Sequence, residues 1–449
     1  MIAQALFSFF TDSILRAPTL GCMLMCLAAS LMGVIIFLRR QSLIGEVLSH
    51  ASYPGVILGV LAAGLFSIDE NDELQLSVLA LIGAFITSLL GLWMIHYLER
   101  RMRVQSDAAL CFVLSTFFGV GLTMTSEVQF SFTSLYKQTV NYLYGQAATM
   151  TDIHIFIYGM LALVVILMIL LLYKELHVMT FDREYAKSLG ISVRSIDFFV
   201  FVLVALAIII GIRSVGVVLM SAMLIAPPVA ARQLTNRFSV LLVLSALFGL
   251  LSGFFGNYFS VELTEKLGQA YPAARIILPT GPMIVLVATL ICTAALLFAP
   301  ERGMLIRLWR IACFRYTCIC ENLLKEMWRT DPKGSFSFDQ VAYYQTTSRL
   351  YLRFLLWRMI GSGWIERQSQ GLYGLSVDGE HRAANIVRLH RLWEVYLVNY
   401  LGIGSERVHR NAEEMEHILT PELERELTLL LENPQQDPHD QPIPARGRE

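Results

Sequence analysis

Charge is scarce in this sequence of 449 residues, and it is unevenly placed. Asp, Glu, Lys and Arg make up 16% of the chain, against roughly 25% in a typical soluble domain. Most of them lie after about residue 300, so the net charge of −1 conceals two regions of different composition. Since 55% of all residues are hydrophobic, a soluble protein throughout is excluded. The composition predicts a polytopic membrane region followed by a water-soluble one.

Several common motifs are missing as well. There is no G-x-x-x-x-G-K-[S/T] phosphate loop, so the chain is not expected to bind ATP in the usual way. The seven cysteines lie inside apolar runs or just after the last one, which does not resemble an extracellular disulfide framework. The N-terminus has no basic stretch followed by a small-residue cleavage site, so we expect the first apolar run to be a retained helix.

Apolar runs long enough to cross a bilayer, roughly 17–25 residues each, predict about nine transmembrane helices. Basic residues fall on one alternating set of connections, which marks that set and the C-terminal region as cytoplasmic. We interpret 127–153 as a re-entrant or interfacial segment. The predicted crossings are 15–38, 43–66, 76–97, 107–126, 154–173, 195–212, 214–230, 238–258 and 279–299.

Polar groups within the apolar runs are informative, because an ionisable side chain near the bilayer centre costs on the order of 3 kcal/mol unless it is partnered or functional. Glu46 and His50 are four residues apart, hence on one helix face. Together they suit a divalent metal such as manganese, iron or zinc, or they form a helix-stabilising pair. The polar connection 179–195 is either a solvated loop or a docking helix for a cytoplasmic partner.

Four separated motifs resemble the permease subunits of bacterial ABC importers for manganese, zinc and iron: "FLRRQSLIGEVLSHASYPGVILG", "FDREYAKSLGI", "GVVLMSAMLIAPPVAARQL" and "LPTGPMIVLVA". The resemblance implies an all-α membrane domain of the type II ABC importer kind, a transport subunit and not an enzyme. It places Glu46 and His50 on the metal path, although the family usually has aspartate at the first position. It also implies an external metal-binding protein, a second permease subunit and a separate ATPase that docks on Phe181, Asp182, Glu184, Ala186, Leu189 and Gly190.

The polar C-terminal region begins after a linker or interfacial segment at 300–320. Helix, turn, helix and hairpin signals follow over 321–380 in the order of a winged helix, which either reads DNA or serves as a scaffold. The predicted recognition helix, 346–360, is rich in large apolar residues. Its predicted DNA contacts are Thr346, Thr347 and Ser348 at the helix start and Arg349, Arg353 and Arg358 along it.

A second pattern, over 381–432, suits metal binding. His390 and Glu394 lie one helical turn apart, and His409, Glu413, Glu416 and His417 fall within about 100 degrees of one another around a helix. Imidazoles and carboxylates crowded on one face would repel one another without a cation. The alternative is a solvated, charge-rich face. The last segment, 433–449, is Pro-rich and polar, and we predict that it is disordered.

The same stretch resembles the metal-dependent repressors of the diphtheria-toxin-repressor and manganese-regulator family, including "PIP" at 442–444. The resemblance implies one site with His390, Glu394 and His409 and another with Glu413, Glu416 and His417. It adds Glu321 and Asn322 from the first helix of the domain as further ligands, and it implies dimerisation and operator DNA as a partner.

The two halves together resemble the fused permease–regulators of chlamydial metal-uptake operons. We therefore expect a permease domain at 1–299 in the bacterial inner membrane and a cytoplasmic domain that senses Fe(II) or Mn(II), with Zn(II) also compatible. Proteolytic release within 300–330 would give that domain access to DNA. The alternative is a tail that stays attached and inhibits transport without binding DNA.

Overall fold

The chain forms two compact units, residues 1–307 and 308–449, and each has its own core. A computed structural model describes residues 2–65, 73–131, 136, 142–143, 145, 147–271, 277–344, 347–404, 408, 412–413 and 415–445. Helices dominate both units, as the sequence predicts.

Within the described residues, the first unit consists of helices and one short 3-10 turn, Ala147–Thr149. Eight of these helices, α2 to α6, α9, α11 and α12, are long and apolar enough to cross a membrane. The helices are α1 (Ile2–Thr11), α2 (Ser13–Leu38), α3 (Ser42–Leu65), α4 (Glu73–Arg100), α5 (Ser106–Ser131), α6 (Asp152–Leu171), α7 (Tyr173–Phe181), α8 (Arg183–Ser188), α9 (Val193–Val215), α10 (Val217–Leu234), α11 (Phe238–Ala270) and α12 (Thr280–Phe298).

All nine predicted crossings coincide with helices. The run 214–230 corresponds to α10, an 18-residue helix with Pro227 and Pro228 inside it. This helix is not among the eight that are long and apolar enough to cross a membrane. Much of the segment predicted to be re-entrant, 127–153, also lies outside the described residues, so that prediction stays open.

Glycine residues allow the central helices α2 and α3 to pack closely against neighbouring helices, α2 against α10 and α3 against α4. A Cβ atom at Gly33 of α2 would lie 1.8 Å from the Leu224 carbonyl oxygen of α10. Gly55 of α3 and Gly83 of α4 face one another, and a Cβ on either would lie 2.1 Å from the carbonyl oxygen of the other. Because lipid tails give no hydrophobic drive for helix association, such close contacts are a main source of packing energy.

The second unit contains the predicted helix, turn, helix and hairpin. Its core contains Leu323 and Met327 of the first helix, Leu355 and Met359 of the third, and Ile365 of the hairpin. The two strands pair antiparallel, and Ser residues at positions 337, 348 and 376 cap the starts of three helices. The elements are α13 (Met304–Thr330), α14 (Phe338–Tyr343), α15 (Arg349–Gly361), β1 (Ile365–Arg367), β2 (Tyr373–Leu375), α16 (Val377–Leu401) and α17 (Pro421–Leu430).

Two of the four domain limits drawn from the sequence, 320/321 and 380/381, fall inside helices. The predicted linker 300–320 lies mostly in α13, and the limit at 380/381 lies in the first turn of α16. The division between the compact units comes at 307/308. Residues 307 and 308 both belong to α13.

The C-terminal segment predicted to be disordered is packed as far as residue 445 in the structure. Two buried arginines of α16 hold it: Arg388 donates to the Pro444 carbonyl oxygen at 3.0 Å, and Arg391 donates to that of Pro442. Ile443 is 8% exposed and packs with Leu392 of α16. The proline-rich composition predicted disorder. In the structure, the carbonyl oxygens of two of these prolines accept hydrogen bonds from arginine side chains.

Candidate metal-sensing cluster and transport path

Helix α16 places His390 and Glu394 inside the second unit. The two side chains are 0% and 2% exposed, and His390 Nε2 lies 3.2 Å from Glu394 Oε1, as expected for residues one turn apart. The second ring nitrogen, Nδ1, lies 2.5 Å from Oε2 of Glu416. Both nitrogens of this imidazole therefore face carboxylate oxygens.

Glu416 lies in the turn before α17 and is 3% exposed. Its Oε1 atom accepts a hydrogen bond from the ammonium group of Lys325 at 2.5 Å. Burial alone would raise the pKa of the Glu416 carboxyl, but the hydrogen bond from His390 and the charge of Lys325 hold that pKa below its ordinary value. Burial would likewise lower the pKa of His390, but Glu394 and Glu416 raise it overall. These groups form a charged, buried hydrogen-bonded cluster.

His417 joins the same turn to the first helix of the domain. Its Nδ1 lies 2.8 Å from Glu321 Oε2, and its Nε2 lies 3.1 Å from Asn322 Oδ1. Arg382 of α16 donates to the other oxygen of Glu321 at 2.9 Å. Against the effect of burial, the hydrogen bonds from His417 and Arg382 lower the pKa of Glu321. Glu321 and Asn322, predicted from the resemblance, therefore contact another predicted ligand, His417.

The other two predicted sensor residues lie differently. The side chain of Glu413 is 47% exposed, and its Oε1 lies 3.9 Å from Lys325 Nζ. His409 lies outside the described residues. The structure thus brings His390, Glu394 and Glu416 together, and places Glu321, Asn322 and His417 in contact beside them; His417 Nε2 is 3.5 Å from Glu416 Oε1.

The donor types of this cluster suit a borderline divalent ion, since imidazole nitrogen and carboxylate oxygen are ligands for manganese, iron and zinc. In the structure the same side chains are paired with one another. Among the described residues, no group of three His, Cys, Asp or Glu side chains is placed so that it could hold a metal ion. The imidazole nitrogens of His390 and His417 face oxygen acceptors, and the ammonium group of Lys325 contacts Glu416. Hydrogen bonds within the cluster therefore pair its polar groups.

Lys325 belongs to the same cluster, although the pattern of His and Glu residues in the sequence does not single it out. It lies in α13, three residues after Asn322 and four after Glu321, hence on the same helix face. That spacing was a readable signal. A protonated lysine is not a metal ligand, so a pattern of His and Glu residues does not include it.

The predicted DNA-contacting residues lie at and along α15. Ser348 caps the helix by accepting from the Tyr351 amide at 3.4 Å, while Thr346 lies outside the described residues and the Thr347 hydroxyl has no hydrogen-bond partner among those described. The three arginines 349, 353 and 358 are exposed. Exposed apolar residues accompany them: Leu350, Phe354 and Trp357.

In the membrane unit, α3 carries Glu46 and His50 on one face. His50 is 8% exposed, and its ring packs edge-on against Phe118 at a centroid distance of 4.5 Å. Its Nδ1 has no hydrogen-bond partner among the described residues. A buried polar nitrogen without a partner is costly, and it is available to a ligand.

The predicted ATPase-coupling residues form the α7–α8 corner. Asp182 caps α8 by accepting from the Tyr185 amide at 2.9 Å, and Gly190 ends the corner with a φ of +77°, which favours glycine. Ala186 is buried, whereas the large side chains of Phe181 and Leu189 are 57% and 55% exposed. Glu184 pairs with Lys187 on the surface at 2.7 Å. The corner therefore presents a partly apolar surface.

Comparison with known proteins agrees with both halves. A model of the ABC 3 transport family matches residues 11–299, and a model described as iron dependent repressor, metal binding and dimerisation domain matches residues 376–445. A probable metal transport system membrane protein of Chlamydia trachomatis is 37% identical, covering 98% of each chain. A zinc transport system membrane protein, TroC of Treponema pallidum, is 35% identical over 68% of this chain and 96% of its own length.

Two further comparisons concern metal and fold. A manganese transport system membrane protein, MntC of Bacillus subtilis, is 29% identical over 86% of this chain and 84% of its own. The solved structure of PsaBC from Streptococcus pneumoniae in complex with a Fab has 25% sequence identity and a TM-score of 0.55, covering 67% of this chain and 98% of that one.

Fold, site and matches define a class of protein: a multi-pass membrane permease for metal that carries a repressor-type metal-binding domain. The match over residues 11–299 covers more than half of the chain. The chain belongs to the ABC 3 transport family, and an iron-dependent repressor domain is fused to its permease domain.

Proposed function

We propose that the permease domain passes Fe(II) or Mn(II) inward through the bacterial inner membrane, and that the C-terminal domain lies in the cytoplasm, senses the imported ion and represses target genes when loaded. The observation that carries the proposal is the fusion in one chain of a metal permease with a buried His and Glu cluster of the repressor type. A sensor attached to the importer reports on the ion that the importer delivers.

Transport requires further subunits. The sequence contains no phosphate loop, so a separate ATPase supplies the energy and docks on the α7–α8 corner, where Phe181 and Leu189 are exposed. A second permease subunit completes the pathway, and an external binding protein delivers the ion. The unpartnered Nδ1 of His50, one turn after Glu46, supports a place for these two residues on the path.

The choice of metal rests on ligand chemistry and on relatives. Nitrogen and oxygen donors bind Mn(II), Fe(II) and Zn(II), with affinity rising in that order. One relative is named for zinc and another for manganese. We propose iron or manganese, with zinc also accepted. Metal analysis of the purified full chain after expression in medium supplemented with each ion separately tests this choice.

DNA binding by the C-terminal domain would follow from the winged-helix order and the exposed arginines of α15. We propose that the domain acts as a dimer and that proteolysis releases it. The non-helical turn at 299–303, between α12 and α13, is the best site, because proteases cleave exposed turns more readily than helices. Since 449 residues weigh 50.5 kDa, a fragment released by cleavage at this turn weighs about 16–17 kDa.

A mobility-shift experiment tests the regulatory half. Residues 308–449 form a separate compact unit, and we expect this fragment to retard the promoter fragment of its own operon with Fe(II) or Mn(II) present and not with a chelator. Blotting cells for a C-terminal tag tests release. No fragment under any metal condition argues against release, and no retardation in either state argues against repression.

One observation favours a second function. The exposed side of α15 carries Leu350, Phe354 and Trp357 between its arginines, whereas faces that read DNA carry mainly polar side chains. In this second function, the tail stays attached to the permease domain and does not bind DNA. It inhibits transport when the concentration of cytoplasmic metal is high. Uptake that rises on deletion of the tail, together with no promoter retardation, would support this function.

A further inference from the structure

Lys325 is a buried lysine in the middle of the sensing cluster. It is 1% exposed and lies in α13 between the core residues Leu324 and Met327, which are both fully buried. Its Nζ contacts Glu416 Oε1 at 2.5 Å and lies 3.9 Å from Glu413 Oε1. Lysine is almost never fully buried without a charged partner, and here the partner is a predicted metal ligand.

Both oxygens of the Glu416 carboxylate are engaged within the cluster. One carboxylate oxygen accepts from Lys325, and the other faces His390 at 2.5 Å. Breaking a buried ion pair by removing one partner is strongly destabilising, because the remaining charge is left uncompensated. The cluster therefore already contains a positive charge that balances the Glu416 carboxylate. The ammonium group lies against Glu416 Oε1, the oxygen with which a divalent ion bound at Glu416 would interact.

We infer that the ammonium group of Lys325 is the resident cation of the cluster, and that a divalent ion binds at Glu416 only by displacing it. The inference rests on the proposed sensing function. Displacing a paired ammonium group costs free energy that a site without the lysine would not have to supply. Lys325 thus lowers the metal affinity of the domain and stabilises its metal-free form, so the domain responds only at a higher metal concentration.

Replacement of Lys325 tests both effects in the full chain, purified in detergent. We expect Lys325→Gln to lower the Tm of the second unit in the presence of a chelator, because Glu416 loses its partner. The same variant should bind Mn(II) about tenfold more tightly than the parent, measured by competition with a fluorescent chelator. Lys325→Met removes the charge with a different side chain, and Lys325→Arg is the matched control that keeps it.

The parent and the variants share the transport path, so a difference between them reports on the cluster. A parent chain that binds Mn(II) as tightly as both neutral variants would overturn the inference and leave the sensing function standing. Absence of cluster binding in the parent and all three variants, with Glu416→Ala giving the same isotherm, would overturn both. Tighter binding by Gln and Met but not by Arg confirms the role of the ammonium charge.

Discussion

Asp197, the fifth residue of α9, accepts a 2.7 Å hydrogen bond from the guanidinium group of Arg39, which follows α2 directly. The Arg39 side chain is 8% exposed and that of Asp197 16%, so this ion pair is largely shielded from water. Asp197 also pairs with Arg183, the first residue of α8. A single carboxylate thus joins a central membrane helix to the proposed coupling corner.

Replacing Asp197 should uncouple ATP hydrolysis from transport. We expect Asp197→Asn to lower metal uptake in reconstituted vesicles about tenfold, because two cations lose their common partner and the corner loses its link to α2. The matched control is Glu262→Gln, which breaks an i,i+4 pair with Lys266 in α11, outside the coupling corner, and such a pair is worth at most about 1 kcal/mol. Equal uptake by both variants would show that the link is not used.

Helix packing around α3 depends on the facing glycines Gly55 and Gly83. A methyl group at Gly55 would lie 2.1 Å from a backbone oxygen of α4, so the helices must separate. We expect Gly55→Ala to destabilise the chain by about 1–3 kcal/mol and to lower its Tm in detergent. Gly119→Ala is the control, because nothing lies within 4 Å of its Cβ position. A Tm for Gly55→Ala equal to that of the control would contradict the packing.

Thiol reactivity in α13 follows from burial. Cys320 is fully buried, and burial raises the pKa of its thiol to about 11, whereas Cys313 is exposed. Since the thiolate is the reactive form, we expect iodoacetamide at pH 8 to label Cys313 on the order of a hundred times faster than Cys320. Mass spectrometry of timed digests measures both rates, and denaturant should make them equal. Fast labelling of Cys320 in the folded chain would mean that α13 opens readily.

The sequence predicted the helical membrane fold well, because the backbone polar groups of a long apolar run must be hydrogen-bonded within the segment in a bilayer, and a helix achieves this. All nine predicted runs coincide with helices, and the winged-helix order is present. The contacts of the candidate cluster were predicted in part: helical periodicity placed His390 beside Glu394 and singled out Glu416 and His417, which the resemblance also named. Periodicity reports only on one helix at a time, so it missed the contact of Lys325 with Glu416, which is 91 residues away.

Order in the C-terminal segment was missed for a related reason. Pro and Gln suggested disorder because such residues bury little apolar surface. The structure stabilises this segment through polar contacts from elsewhere, chiefly Arg388, which also pairs with the buried Glu424 at 3.0 Å. The composition of a segment does not reveal whether its carbonyl groups accept hydrogen bonds from buried arginine side chains elsewhere in the chain.

Alanine at Glu413, Glu416 and His417 should weaken metal binding by the second unit at least about tenfold, since all three are proposed ligands. The control is Glu426→Ala, an exposed carboxylate of α17 outside the cluster. Isothermal titration of residues 308–449 with Mn(II) measures the affinity. If the triple variant binds as tightly as the control, the cluster is not the sensor, while the permease function would be unaffected.

The metal-free cluster should make stability depend on pH in two directions. Glu394 and Glu416 raise the pKa of His390 above its ordinary value of 6.5, so its contribution is complete below that pH and is lost as pH rises through the folded-state pKa. His390 and Lys325 lower the pKa of Glu416 below 4.5, so its contribution is complete above that pH and is lost as pH falls through the lower folded-state value. Both contributions are therefore present together between about 4.5 and 6.5.

Thermal unfolding of residues 308–449 in a chelator should consequently give a higher Tm at pH 6 than at pH 8.5. His390→Gln removes the titrating ring and should flatten that difference while lowering the Tm at pH 6. His439→Gln, which changes a histidine outside the cluster, is the control and should leave the pH dependence as it is. A parent Tm that rises steadily from pH 6 to 8.5 would mean that His390 is neutral in the folded domain, and that Lys325 alone balances the charge of Glu416.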